Sequence, residues 1–325
     1  MRKEMFARNE NWYKGNLHSH TTNSDGRLSP REAAEFYRKY GYHFMCFSEH
    51  DYFTDLREEL DREDFIILPG VEASVILRNR EETRIKTHHI HGILGNEAMQ
   101  KAAGERVFRH GEKLTPPVYS EEWDGVQAAQ AVVDELNSRG CFTTYNHPAW
   151  SRVEMKDVVG LKNVWAVEVF NYGTEVECGE GFDSVFWDAM LRNGDRVYGF
   201  ASDDNHNTPR LFDSFGGYVM VRSGELTHEA IVDHLLAGDY YFSAGPEIFQ
   251  WGLEDGAVFV ECSEAERIHF IAGGPVGRSE TLLAHTNPLT KGSHVLKGDE
   301  TYVRVECVDR QGRKAWTNPL FLGQG

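Results

Sequence analysis

Short apolar runs alternate with amphipathic stretches along the chain up to about residue 240. The runs with the length and the β-branched or aromatic content of strands are residues 12–17, 44–48, 65–68, 141–145, 164–170, 197–201 and 218–221. Residues 126–137 and 183–192 repeat apolar positions with a helical period, and a glycine follows each of them. Alternating strands and helices are typical of βαβ units, so the pattern predicts an α/β fold that closes toward a barrel.

Local signals add detail to this pattern. The segment 29–32 has the form of a capping box with proline at the first helical position, which predicts a helix that ends near Gly41. Residues 75–78 and 87–94 predict a β-hairpin. Residues 98–118 are polar and interrupted by glycine, which predicts a long loop.

The composition changes after Gly245-Pro246. From there the apolar segments are short and bounded by turns, at residues 248–251, 257–262, 267–271, 302–308 and 314–320. They show no helical period, which predicts a small antiparallel β-sandwich. We therefore expect an α/β barrel over residues 1–245 and a sandwich over residues 246–325, with the aromatic residues 240–242 packed between them. For the sandwich we expect a role as a packing cap, a lid or a homodimer contact, with carbohydrate binding as the alternative.

Composition and charge exclude several classes of protein. The chain has 325 residues, 40% of them hydrophobic, and its net charge of −17 and pI near 5.3 argue against a surface that holds duplex nucleic acid. No run approaches the ~20 apolar residues of a membrane span, and no apolar leader follows the first residues. The five cysteines form no C-x-x-C pair, so we expect a cytoplasmic protein. Neither a G-x-S-x-G motif nor a phosphate-binding P-loop occurs.

Histidines and carboxylates recur where the apolar runs end. The segments that carry them are His18-Ser19-His20, Asp25, Ser48-Glu49-His50, Glu72, His89-Ile90-His91, Asn146-His147-Pro148 and Asp204-Asn205-His206. In a strand, residues i and i+2 share a face, so His18 and His20 can reach one ion. Each segment alone is weak evidence, because short motifs recur by chance. Their repetition at strand ends predicts one polynuclear metal site built by many strands.

The order of these motifs resembles that of the PHP (polymerase and histidinol phosphatase) family of metal-dependent phosphoesterases. The resemblance covers roughly residues 12–245. It implies a distorted, TIM-like (β/α)7 barrel with a di- or trinuclear metal site at the strand C-termini. The chain departs from the family pattern at Ser48-Glu49-His50, where the family usually has Thr-Asp-His.

The resemblance also implies a ligand set. Carried over by position, one ion is held by His18, His20, Glu72 and Asp204, a second by Glu72 as a bridge with His91 and His147, and a third by Asp25, His50 and His206. We choose His91 because a glycine and an apolar strand follow it, and His89, on the same strand face, is the fallback. Asp204 is chosen over Asp203 because it gives the Asp-x-His spacing of the family.

The activity that the resemblance implies is hydrolysis of a phosphate mono- or diester of a small metabolite, nucleotide or oligonucleotide. Two or three divalent ions, zinc, manganese or iron, would share a bridging hydroxide that attacks phosphorus. The catalytic residues would be Glu72, Asp204 and His206. The predicted substrate contacts are Arg152, Asn171 and Arg210.

Two other functions are weighed against this one. A non-catalytic or regulatory metal module would keep the ligands without turnover. An amidohydrolase-like metal hydrolase would also have a barrel with histidines at its strand ends. Such an enzyme would be expected to carry a lysine at a strand end, which the sequence does not show.

Overall fold

The computed structural model describes residues 2–6 and 11–323. The helices in those residues are α1 (Pro30–Lys39), α2 (Arg57–Leu60), α3 (Glu97–Ala103), α4 (Gly125–Ser138), α5 (Met155–Val158), α6 (Tyr172–Cys178), α7 (Ser184–Arg192) and α8 (His228–Ala237), with a 3-10 turn at Gly104–Arg106. A helix of the length and apolarity needed to cross a membrane is not found in this part of the chain.

The strands are numbered in chain order. They are β1 (Arg2–Phe6), β2 (Trp12–Asn16), β3 (Phe44–Phe47), β4 (Ile66–Arg78), β5 (Arg84–Leu94), β6 (Val118–Ser120), β7 (Cys141–Tyr145), β8 (Ala166–Asn171), β9 (Tyr198–Ser202), β10 (Tyr218–Arg222), β11 (Tyr240–Ser243), β12 (Ile248–Glu254), β13 (Ala257–Ala265), β14 (Arg267–Ala272), β15 (Glu280–Leu283), β16 (Leu289–Val295), β17 (Tyr302–Val308), β18 (Lys314–Thr317) and β19 (Leu320–Phe321).

Most strands join one 15-stranded sheet. Its ladder runs in the order β15-β14-β17-β18-β11-β10-β2-β3-β4-β5-β7-β8-β9, with β19 beside β17 and β6 beside β4. Strands β2, β3 and β4 are parallel to one another, as are β7, β8 and β9, whereas β5 is antiparallel to both of its neighbours. The two parallel groups therefore point the same way, and their carboxyl ends share one side of the sheet.

The mixed α/β class is confirmed, but the closed (β/α)7 barrel is not. Within residues 2–6 and 11–323 the ladder is an open path that ends at β9. Beyond the ends of β2 and β9, Ser19 and Asn205 form a single parallel bridge, in which the His20 amide donates to the Asn205 carbonyl at 3.0 Å. The parallel groups thus meet at their carboxyl ends without a continuous ladder between β9 and β2.

Helix α4 shows how the helices cover the sheet. Asp124 caps its first turn by accepting a hydrogen bond from the Gln127 amide at 3.1 Å. Its buried face includes Ala129, Val133 and Leu136, which belong to the main apolar core. A Cβ at Gly92 would lie 3.0 Å from the Leu136 side chain, so glycine in β5 lets this helix approach the strand that carries His89 and His91.

The C-terminal strands are antiparallel and divide between two sheets. β12, β13 and β16 form a four-stranded sheet with β1, whereas β14, β15, β17 and β18 extend the main sheet because β18 pairs with β11. Both sheets contribute to a second buried cluster, with Trp251 on one side and Phe270 and Val305 on the other. Phe242 stacks on Trp316 at 5.2 Å between ring centroids. An independent sandwich is therefore not confirmed, and a domain boundary near residue 245 stays a prediction.

Two segments differ from the expectation. The predicted hairpin is present, but β4 extends from Ile66 to Arg78 and pairs with β5 from Gly70 to Arg78, so Glu72 lies inside a strand instead of at its end. The predicted loop 98–118 is wrong in part. Asn96 caps α3 by accepting from the Met99 amide at 3.0 Å, and this cap was missed in a polar stretch.

Candidate metal centre

The nine predicted ligands converge where the parallel strands end. They are His18 and His20 after β2, Asp25 in the following loop, His50 after β3, Glu72 in β4, His91 in β5, His147 after β7, and Asp204 and His206 after β9. Their donor atoms fall into overlapping groups whose members lie within 4.8 Å of one another. The groups are His20, Asp25, His50 and His206; His18, His147 and Asp204; His18, Glu72 and His91; and His50, Glu72 and His89.

Glu72 lies at the centre of the cluster and is fully buried. Its Oε1 is 3.2 Å from His18 Nε2 and 3.3 Å from His147 Nε2. Its Oε2 is 3.0 Å from His50 Nδ1 and 3.4 Å from His89 Nδ1. A carboxylate with imidazoles on both oxygens is arranged to bridge two cations.

Asp204, which follows β9, belongs to the same cluster. Its Oδ1 lies 3.1 Å from His18 Nε2 and 3.1 Å from His20 Nε2. Asp204 has a φ of 51° and His147 a φ of 24°, a backbone region that few side chains adopt. Such strain is concentrated at functional sites, where surrounding contacts enforce it.

The donor set fits divalent metal ions. Glu72 Oε2, Asp204 Oδ1 and both ring nitrogens of His89 and His91 are buried and make no hydrogen bond within the described residues. They approach other donors closely but without hydrogen-bond alignment. Each unpartnered buried polar group costs about 1–3 kcal/mol, and a cation at the centre would satisfy several of them together.

His20, His89 and Glu72 have the protonation states that suit metal binding, whereas neighbouring carboxylates outweigh burial and raise the pKa of His18, His50, His147 and His206. Burial lowers the pKa of His20 to about 3 and the pKa of His89 to about 4, so both rings are neutral at pH 7. Burial opposes ionisation of Glu72, but the charge of the neighbouring His18 outweighs it and holds the Glu72 pKa well below its usual range. Neutral imidazoles and ionised carboxylates are the forms that bind metals.

Glu168 is a fully buried carboxylate that the sequence reasoning missed. Its Oε1 lies 2.9 Å from His18 Nδ1 and also accepts from the Ser202 hydroxyl. Its Oε2 accepts from the His147 amide and from Asn171 Nδ2, both at 2.9 Å. A carboxylate on Nδ1 leaves the Nε2 lone pair of His18 facing the cluster. The signal in the sequence was an ionisable residue inside the apolar run of β8.

Asp203 has a structural role, unlike its neighbour Asp204. It accepts from the Tyr37 hydroxyl at 2.6 Å and from the backbone amides of residues 215–217 at 2.7–2.8 Å. Both carboxylate oxygens of Asp203 therefore accept hydrogen bonds from groups outside the histidine cluster. Glu49, at the position that departs from the family pattern, accepts from the Thr21 amide at 3.0 Å.

His89 and His91 share one face of β5 but differ in access. His91 is fully buried, with its ring centroid 4.2 Å from that of His18. His89 lines the cavity described below, and its ring centroid is 5.1 Å from that of His147. The choice of His91 as partner of His147 stays a prediction, while the geometry favours the fallback, His89, for an ion that a substrate must reach.

A cavity of about 480 Å³ opens above the cluster. The clustered residues that line it are Asp25, His50, His89, His147, Asp204 and His206. Of the described residues, Arg84 is the one basic side chain besides histidine in its wall. Arg84 was not among the predicted substrate contacts.

The predicted substrate contacts lie elsewhere. Asn171 is fully buried and caps α6 by accepting from the Thr174 amide at 2.8 Å, while its Nδ2 donates to Asp204 Oδ2 at 3.0 Å. It is therefore buried beside Asp204, which differs from the rim position expected. Arg152 pairs with Glu180 at 2.6 Å, and neither Arg152 nor Arg210 lines the cavity.

Comparisons with known proteins give partial likenesses. No family model matches the chain. A stretch of 103 residues, 32% of the chain, is 30% identical to a glucan 1,6-alpha-glucosidase of Streptococcus dysgalactiae subsp. equisimilis, and it spans 16% of that relative.

Solved structures with a similar arrangement include a two-domain protein of Bacteroides vulgatus that contains a predicted PHP-like metal-dependent phosphoesterase (TM-score 0.47, 14% identity, 98% of this chain and 99% of that one). Another is a protein of Bifidobacterium adolescentis described as a candidate metal-dependent phosphoesterase (0.42, 16%, 69% and 95%). A third is an amidohydrolase of Chromobacterium violaceum with bound sulfate (0.40, 17%, 59% and 87%). At these low identities, the chemistry of the site is inferred from its own residues.

Proposed function

We propose that this protein is a metal-dependent phosphoesterase that hydrolyses a phosphate mono- or diester of a small molecule. One observation carries the proposal. A buried carboxylate, Glu72, has imidazoles against both oxygens, and three of those imidazoles line a cavity open to solvent. Divalent ions held there would lower the pKa of a water molecule and offset charge on phosphoryl oxygens.

The chain's own residues would divide the work as follows. Glu72 and Asp204 would hold ions together, because each places a carboxylate oxygen against two imidazoles. Glu168 and Asn171 would keep His18 and Asp204 in their orientations by hydrogen bonds. His206, 3.4 Å from Asp25 across the cavity floor, would complete the site where substrate enters.

Access favours catalysis over a purely structural or regulatory metal module. Structural metal sites are closed by four protein ligands, whereas catalytic sites keep a position open. Here the side chains of His50 and His206 are 28% and 26% exposed, and both line the cavity. A substrate atom can therefore reach the donors of this group.

The experiment combines metal analysis with a substrate panel. Purified protein loaded with Zn²⁺, Mn²⁺ or Fe²⁺ should hydrolyse p-nitrophenyl phosphate or bis(p-nitrophenyl) phosphate, and two or three ions should remain bound after desalting. Glu72→Gln should abolish turnover, because a neutral amide oxygen cannot bridge two cations as a carboxylate does. Glu135→Gln, on the surface of α4, is the matched control and should be unaffected.

Each alternative predicts a different result. Bound metal without turnover of any ester would support a regulatory module. Hydrolysis of amides or lactones in place of phosphate esters would support an amidohydrolase-like enzyme. Near-normal turnover by Glu72→Gln with its metals retained would refute the bridging role of Glu72.

A further inference from the structure

Beyond the metal cluster, the cavity wall has features that the hydrolysis of a simple phosphate does not use. The wall side chains that matter here are Ile76 on β4, Arg84 on β5, and Trp150 in the loop that follows His147. With a volume of about 480 Å³, the cavity has room for a substrate much larger than phosphate alone.

Trp150 is a fixed aromatic surface beside the cluster. Its indole N–H donates to Glu177 Oε2 at 3.1 Å. Its ring centroid lies 5.1 Å from that of His147 and 5.8 Å from that of His89. A group attached to a phosphoryl bound at the cluster would therefore pass along this ring.

A β-bulge directs Arg84 into the same cavity. Along the hairpin, Glu72 pairs with His91, Ser74 with His89, and Ile76 with Thr87, so these residues share one face. The register then shifts between Leu77 and Arg78, and Arg78 pairs with Arg84. As a result Arg84 lines the cavity while Ile85 is 40% exposed and does not. Bulges beside active sites commonly re-aim a side chain in this way.

Arg84 is also a cation without an acidic partner among the described residues. Its guanidinium carbon lies 5.9 Å from the Trp150 ring centroid. The acids of the wall are engaged elsewhere. Glu177 accepts from Trp150, Asp51 accepts from the Ser74 amide at 2.9 Å, and Asp213 accepts from the His206 amide at 2.8 Å. Hydrogen bonds from neutral donors do not cancel the charge of these acids, so among the described wall residues other than histidine Arg84 alone can attract an anionic group.

We propose that Trp150 and Arg84 form a leaving-group subsite that recognises a planar group bearing an anionic substituent. The inference rests on the proposed function, because it takes the phosphoryl group to lie on the metal cluster. The planar group would lie against Trp150 with Ile76 as an apolar neighbour, and its carboxylate or second phosphate would face Arg84. The class of substrate is thus an aromatic or heteroaromatic phosphate ester with a second anionic group.

Binding of non-hydrolysable phosphonates tests this without turnover. Methylphosphonate, phenylphosphonate and 4-carboxyphenylphosphonate would be titrated calorimetrically into the full-length, metal-loaded protein. The carboxylate should raise the affinity about fivefold over phenylphosphonate, in line with an exposed ion pair. Arg84→Gln should remove that gain. Arg80→Gln should keep it, because Arg80 lies in the same hairpin, pairs with Glu121 and does not line the cavity.

A second variant tests the aromatic surface. Trp150→Leu should reduce the preference for phenylphosphonate over methylphosphonate on the order of fivefold. The ratio of the two affinities corrects for any change at the metals, since both ligands carry the same phosphonate group.

The failures are distinguishable. If none of the three phosphonates binds the metal-loaded protein, the proposed function and the subsite both fail. If all three bind with equal affinity, or if the gain from the carboxylate persists in Arg84→Gln, the subsite is refuted and the phosphoesterase proposal stands.

Discussion

Replacement of Glu168 by glutamine tests whether a residue outside the ligand set controls the metal site. Glu168 accepts hydrogen bonds on both oxygens, so an amide in its place must put an NH₂ group against donors. If the NH₂ replaces Oε2, the His147 amide and Asn171 Nδ2 both lose their acceptor. If it replaces Oε1, His18 Nδ1 must accept, and the ring proton moves to Nε2, the atom that faces Glu72 and Asp204.

Either orientation has a cost that can be sized. Leaving a buried donor without a partner costs about 1–3 kcal/mol, so the first orientation, which affects two donors, lowers the free energy of unfolding by about 2–6 kcal/mol. The second orientation blocks one ligand lone pair. Carboxylates that orient ligating histidines are worth about 10–100-fold in metal affinity. We therefore expect Glu168→Gln to bind Zn²⁺ about 10–100-fold more weakly, with a lower midpoint in urea.

The assay is competition with a chromophoric chelator, combined with urea unfolding of the metal-free protein. Glu49→Gln is a useful comparison, because Glu49 is also buried. It accepts hydrogen bonds from Thr21 and Ser24 and not from a histidine of the predicted ligand set. Metal affinity and stability of Glu168→Gln equal to those of the wild type would refute the orienting role of Glu168.

Further predictions concern the dependence of stability on pH, the contact between the two parts of the chain, and the histidines His89 and His91 of β5. Burial raises the pKa of Asp183 from 3.8 to about 7. The protonated carboxyl therefore contributes stability that is complete below pH 4 and is lost as the pH rises through 7, by up to about 4 kcal/mol. Asp183→Asn should remove this loss, which is measured by urea unfolding of the metal-free protein at pH 4 and pH 8. Arg304, 1% exposed, donates to Asp188 at 2.8 Å, so Arg304→Met should cost about 3 kcal/mol of unfolding free energy and its surface neighbour Arg192→Met almost none. His89→Ala should reduce turnover more than His91→Ala at equal metal content, because His89 reaches the cavity; equal losses would contradict this.

The sequence allowed the α/β class and the convergence of ligands to be predicted for a physical reason. Predicted ligands such as His18, His50 and His147 follow apolar strands, and the carboxyl ends of parallel strands share one side of a sheet. Glu72 was identified from the order of the motifs, although it lies inside β4 and not at the end of a strand. The pattern of apolar residues does not reveal that β4 continues past Glu72, since a buried strand and its extension as a hairpin have similar composition.

Residues that act through other residues could not be predicted in the same way. Glu168 lies in an apolar strand, and its role depends on His18, which is 150 positions away in the chain. Arg84 reaches the cavity through a register shift that no periodic pattern records. Arg152 and Arg210 were chosen by their closeness in sequence to ligands, but sequence neighbours in a loop need not face the same space.

Hydrogen bonds at β9, the strand that leads to Asp204, argue against the expected independence of the C-terminal segment. In the described ladder β9 is an edge strand, and its Gly199 would present an unpaired amide and carbonyl. The amide donates to Asn318 Oδ1 at 3.1 Å, and the carbonyl accepts from the Tyr240 hydroxyl at 2.8 Å. Asn318 Nδ2 in turn donates to the Tyr240 carbonyl at 3.3 Å. Residues beyond 246 supply no member of the donor groups among the described residues, yet they complete the edge of the strand that carries one, so we infer that the metal centre depends on them through β9.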